Sequence, residues 1–165
     1  MHNRTRIILR YLFVVVLGIF LHFAYELSGE NPIVGLFSVV RESVWEHLKL
    51  IFFPMLLLTI WDLYTNHRNN LNFLPARTIG ILSGMAFIII VYYTVTGILG
   101  ANITWVTILI YLLSVVYAFW IERTVCVKCR NLSISWAILI LIVSTILFII
   151  FTLVPPPLGI FEPLA

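Results

Sequence analysis

Five apolar runs, near Ile7 to Leu27, Leu48 to Tyr64, Thr78 to Ile98, Ile103 to Ile121 and Ser133 to Val154, occupy most of the chain. Each is about as long as a helix must be to cross the hydrocarbon of a bilayer, roughly 20 residues. The runs are continuous, so helices built from them are apolar on every side, which suits a membrane and not a water-soluble bundle. Hydrophobic residues make up 62% of the 165 and charged ones 10%, a balance outside that of ordinary soluble domains. The alternating ten-residue pattern of outer-membrane barrel strands is missing. The expected fold is all-α: one transmembrane helical domain, residues 1–165, with five spans.

Arg4, Arg6 and Arg10 precede the first run as they would in a signal peptide. No small-residue cleavage site follows and the run is long enough to span, so it is read as an uncleaved anchor. With the N-terminus inside, Arg4, Arg6, Arg10, Arg68, Arg77, Arg123, Lys128 and Arg130 fall on the inner side, and only Arg41 and Lys49 on the outer. Cytoplasmic loops carry that excess of Lys and Arg, which predicts the N-terminus inside and the C-terminus outside. Glu26, Glu30, Glu42, Glu46 and Glu162 then lie outside, and Asp62 and Glu122 inside, where Asp62 most simply pairs with Arg68 or another inner-rim cation. The net charge of +3 describes an inner rim facing anionic lipid and does not call for nucleic acid as a partner. Trp61, Trp120 and Trp136 at predicted inner ends, and Trp45 and Trp105 at outer ends, fit the headgroup boundary that indoles prefer.

Between the first two runs stand His22, Glu26, Glu30, Arg41, Glu42, Glu46, His47 and Lys49. Ionisable groups near hydrocarbon depth cost several kcal/mol unless they pair, snorkel or line a wet cavity, so this cluster is the chain's clearest functional feature. His22 and Glu26 are four apart and share a face of the first helix. After a turn at Ser28 to Pro32, Ile33 to His47 reads as a helix lying in or dipping into the outer interface, with Pro32 in its first turn. On such a helix Glu42, Glu46 and Lys49 share a face, and like charges four apart need a cation, a proton or Lys49 between them.

Three partners fit. A divalent metal could be held by some of His22, Glu26, Glu42, Glu46 and His47, because imidazole and carboxylate suit zinc or another transition metal that activates water; no H-E-x-x-H pattern accompanies them. A ligand or proton could use the same groups for binding or relay. The plainest arrangement is a salt-bridge network of Arg41, Lys49 and the glutamates that fixes the outer turn, with His22 hydrogen-bonded in the bundle. The candidate binding set is therefore His22, Glu26, Arg41, Glu42, Glu46, His47 and Lys49.

Other features read as packing. Gly80 and Gly84 form a small-xxx-small pair on the third span, and Thr107, Tyr111, Ser114 and Ala118 a small and polar stripe on the fourth. Contacts within one chain explain both; homodimerisation through the glycines is the lesser reading. Pro54 kinks the second span and frees backbone carbonyls near the polar cluster, and Pro155, Pro156 and Pro157 end the fifth and start an extended tail. Cys126 and Cys129 form one C-x-x-C on an inner loop, half of a zinc shell that His67 or a second chain would have to complete. Two reduced thiols, dispensable for folding, are expected. Walker, dinucleotide and nucleophile-elbow motifs are missing.

At Arg41 to Lys49 the sequence R-E-S-V-W-E-H-L-K, followed by I-F-F-P at Ile51 to Pro54, resembles a family of small bacterial multi-pass membrane proteins of unknown function. The resemblance rests on Glu42, Ser43, Trp45, Glu46, His47 and Lys49. It implies about five helices in a bacterial plasma membrane and supplies no activity. Two function classes follow from the residues. One is a noncatalytic binding, transport-accessory or assembly component whose outer cluster organises a headgroup, an ion, a membrane-protein partner or a second copy. The other is a metal-dependent intramembrane hydrolase acting on a lipid or peptide at the outer leaflet. A 165-residue bundle leaves little scaffold for an enclosed pathway, which favours the first.

Overall fold

The computed structural model describes residues 2–65, 73–128 and 132–163, and every regular element in them is a helix. The elements are α1 (His2–Leu27), a single turn α2 (Pro32–Gly35), α3 (Val44–Thr65), α4 (Phe73–Leu99), α5 (Thr104–Lys128), α6 (Ile134–Leu153) and a 3-10 turn at Gly159–Phe161. The five long helices fall on the five apolar runs and are long and apolar enough to cross a membrane. At about 1.5 Å rise per residue each covers the roughly 30 Å of hydrocarbon. His67, Arg68, Cys129 and Arg130 lie outside the described residues; Cys126 is exposed.

Helix α3 is the axis of the bundle. In its most apolar stretch 61% of residues are buried, against 17 to 33% in the other four helices. Those others turn large apolar side chains outward, among them Phe20, Ile90, Leu139 and Leu153, as expected of helices whose solvent is lipid. α4 and α5 form the most extensive helix pair. A Cβ on Gly80 would stand 2.7 Å from the Ala118 carbonyl oxygen, and one on Gly84 would stand 2.9 Å from the Ala118 Cβ. The small residues of both helices are thus used against each other within one chain, which leaves the glycine pair no free face for a second copy.

The chain turns after α1 through two left-handed residues, Gly29 at φ 69° and Glu30 at φ 62°. Asn31 then starts α2, its side-chain oxygen accepting from the Ile33 amide at 2.9 Å, with Pro32 in the first turn. The interfacial helix expected between the first two spans is this one turn. The longer helix expected over Ile33 to His47 does not form: residues 36–43 are a loop. α3 begins at Val44, four residues before the apolar run, because Ser43 caps it. The Ser43 hydroxyl accepts from the Glu46 amide at 3.3 Å, half of a capping box.

The tail does not run on extended. Past the three prolines the 3-10 turn lays Phe161 on Trp45, ring centroids 5.0 Å apart, and on Phe151 at 5.3 Å. An isolated antiparallel bridge joins Pro163 to Ser43, which ties the tail to the start of α3.

Candidate functional site

Two polar clusters occupy opposite ends of the bundle. The one the sequence pointed to divides in two. Its buried half is built on Lys49, whose side chain is fully enclosed. The Lys49 ammonium donates to Glu46 Oε2 at 2.8 Å and to the carbonyl oxygens of Gly35 and Ser38 at 3.0 Å each. Its three protons are matched by three acceptors, the condition under which a buried charge is tolerated. Glu46 Oε2 also accepts from the Val40 amide at 3.0 Å, and the Thr152 hydroxyl lies 3.3 Å from Oε1. This explains the loop at 36–43. A continuous helix would use the Gly35 and Ser38 carbonyls internally and leave Lys49 with Glu46 alone.

The half-exposed part consists of His22 near the end of α1, Glu42 in the loop before α3, and His47 in the first turn of α3. Glu42 Oε2 stands 3.4 Å from His47 Nε2 and Glu42 Oε1 3.8 Å from His22 Nε2. The two imidazole centroids are 5.2 Å apart. One donor atom from each of the three residues lies within 4.8 Å of the others. Ligand atoms about 2.1 Å from a tetrahedral zinc are about 3.4 Å from each other, a spacing that Glu42 and His47 already have and that His22 would reach by drawing in. His47 Nδ1 lies 2.8 Å from the Ser43 carbonyl oxygen. A carbonyl only accepts, so Nδ1 carries a proton, the outer-sphere bond that orients metal-binding histidines, and Nε2 is left facing Glu42, where it donates as an imidazolium or offers a lone pair to a metal as a neutral ring.

Of the residues singled out from the sequence, the structure brings His22, Glu42 and His47 together, and Glu46 with Lys49 separately. The expected sharing of a face by Glu42, Glu46 and Lys49 fails, because Glu42 lies before the helix starts. Glu46 is no ligand in this arrangement, since Lys49 and Val40 engage Oε2 and Thr152 faces Oε1. Glu26 and Arg41 are exposed, and among the described residues Arg41 makes no ion pair, so the network expected of Arg41 with the glutamates shrinks to Lys49 and Glu46.

The second cluster joins four helices at the other end, and the sequence reading placed its members on one side without connecting them. Asp62 of α3 accepts from Arg10 of α1 at 2.6 Å and from Arg77 of α4 at 2.9 Å. The same Arg77, completely buried, stands 2.7 Å from Glu122 of α5 and 3.4 Å from the Thr59 hydroxyl. Two cations and two carboxylates cancel, which makes the burial of Arg77 tolerable. Asp62 thus takes Arg10 and Arg77, two of the cations the sequence reading grouped on its side.

Residues 1–164 match the family of unknown function DUF6512, and the chain belongs to it. The resemblance drawn from the sequence also led to a family without an assigned role. No curated protein and no solved structure matches the chain.

Proposed function

We propose that this member of the family is a noncatalytic multi-pass membrane component that binds a divalent transition-metal ion at its outer end through His22, Glu42 and His47. The observation that carries this is the oriented His47, its Nδ1 held on the Ser43 carbonyl and its Nε2 facing a carboxylate and a second imidazole. Two neutral imidazoles and one carboxylate suit zinc or its first-row neighbours better than magnesium or calcium. The site sits in a bacterial cell membrane with the N-terminus inside and the C-terminus outside, a reading supported by the gathering of Arg6, Arg10, Arg77 and Arg123 toward the opposite end. Its partners are the bilayer and a membrane protein or second copy that senses the occupied site, not nucleic acid.

A hydrolase reading draws support from one observation: three ligands at a half-open site leave a position for water. Against it, the nearby Glu46, which would be the candidate base, is tied to Lys49. Zinc binding itself is tested by equilibrating the detergent-purified chain with zinc, removing the excess and counting metal by plasma mass spectrometry. About one zinc per chain is expected, falling at least tenfold in His22→Ala and His47→Ala and holding in Glu26→Gln. A parent protein as poor in zinc as the two histidine variants overturns the reading.

A further inference from the structure

The end of the bundle that holds Asp62 opens sideways, between α1 and α3, into a groove of about 1030 Å³. Its lining is graded along both helices. Arg6 and Arg10, with Leu9 between them, stand toward one end with Trp61 and the Arg10-paired Asp62 on α3, and Phe13 and Leu57 form the wall further along. Arg6 to Phe13 spans seven residues, about 10 Å along the helix axis. The groove therefore passes from cationic to apolar over the distance that separates a headgroup from the start of an acyl chain.

We propose that this groove binds one anionic phospholipid, its phosphate on Arg6 and Arg10 and its first acyl carbons along Phe13 and Leu57. Charge complementarity selects the occupant. Asp62 and Glu122 are matched by Arg10 and Arg77, so Arg6, exposed and without an ion-pair partner among the described residues, leaves that end of the groove with a net positive charge. Arg10 makes one hydrogen bond among those residues, from Nη2 to Asp62, and keeps further donors in the planar fork that phosphate oxygens accept from. Trp61, exposed at the rim, supplies the amphipathic ring that settles at headgroup level. A second groove, of about 660 Å³ between α1 and α5, shares Arg10 with the first and carries Arg123 and Trp120, so substitution of Arg123 rather than Arg10 separates the two.

The test uses the full chain in detergent, offered phosphatidylglycerol and phosphatidylcholine of identical acyl chains in equal amounts, with retained lipid counted by native mass spectrometry. Phosphatidylglycerol should be retained about fivefold over phosphatidylcholine, the size of one favourable arginine contact at a membrane surface. Arg6→Gln should erase most of that preference, and Leu57→Trp, which fills the wall without changing charge, should lower retention of both lipids. Arg123→Gln should leave the preference intact. Equal retention of the two lipids by the parent, an Arg6→Gln protein with the full preference, or an Arg123→Gln protein that loses as much as Arg6→Gln would each overturn the assignment. The readout is independent of metal, so its failure leaves the histidine site untouched.

Discussion

The Tyr111 hydroxyl lies 3.3 Å from the carbonyl oxygen of Leu50, the acceptor that Pro54 deprives of its helical donor. The carbonyl that Pro54 is expected to free is thus met by a phenol from α5, and the same hydroxyl lies 3.1 Å from the Val14 carbonyl of α1. Three helices meet at one oxygen. Gly18 allows this, for a Cβ there would stand 2.6 Å from the Leu50 oxygen and closer still to the phenol.

Tyr111→Phe should accordingly lower stability by about 1 kcal/mol, the usual net value of such a bond. In a Pro54→Ala background the loss should shrink, because the backbone amide restored by that substitution can again serve the Leu50 carbonyl. Unfolding of both pairs in detergent gives the coupling, and an identical loss in the two backgrounds would show that the hydroxyl does nothing for the proline site.

Lys49→Met should be among the most damaging single changes. It strands the Glu46 carboxylate and two loop carbonyls in an enclosed site, at a cost of about 3–5 kcal/mol. The loop should also loosen specifically, so trypsin cleavage after Arg41 should accelerate before the bundle unfolds. Parent-like resistance at Arg41 in Lys49→Met would sink the account of the loop as wrapped around this ammonium.

The spans were legible because length and continuous apolarity are local properties. Residues 36–43 were not. The segment Ile33 to Val40 is apolar enough to pass for an interfacial helix, and what unwinds it is the demand of Lys49 for acceptors eleven and fourteen residues away. One local signal was available: S-V-W-E at Ser43 to Glu46 has the spacing of a capping box and marks the true start of α3. Of the candidate cluster, the sequence could group His22, Glu42, Glu46 and His47 at one end but could not divide them between a buried pair and a half-exposed triad. The Arg10, Asp62, Arg77 and Glu122 cluster was invisible for a related reason. Charge counts show which side a residue lies on, and neighbours across four helices follow only from packing.

Two of the three glycines of α4, Gly80 and Gly97, should respond in opposite directions. Gly80→Ala pushes a methyl into the Ala118 carbonyl, and the overpacking should cost about 1–3 kcal/mol. Gly97→Ala meets nothing within 4 Å and should stabilise by up to about 1 kcal/mol through helix propensity alone. Melting temperatures in one detergent distinguish them, and a dimeric parent that becomes monomeric in Gly80→Ala without loss of intrinsic helix packing stability would restore the intermolecular reading of the glycines.

Asp62 should matter more than Arg10, because among the described residues it is the carboxylate that pairs with both α1 and α4. Asp62→Asn leaves the enclosed Arg77 with Glu122 alone and releases Arg10, so a loss of about 3–5 kcal/mol is expected. Arg10→Gln should cost no more than about 1 kcal/mol, since the Arg10 side chain is 37% exposed and water replaces its contact, while Asp62 keeps Arg77. Denaturant or thermal unfolding of the two variants ranks them directly. If Arg10→Gln proved as costly as Asp62→Asn, the contact between α1 and α3 would be the stabilising element of this end, and the buried Arg77 would be secondary to it.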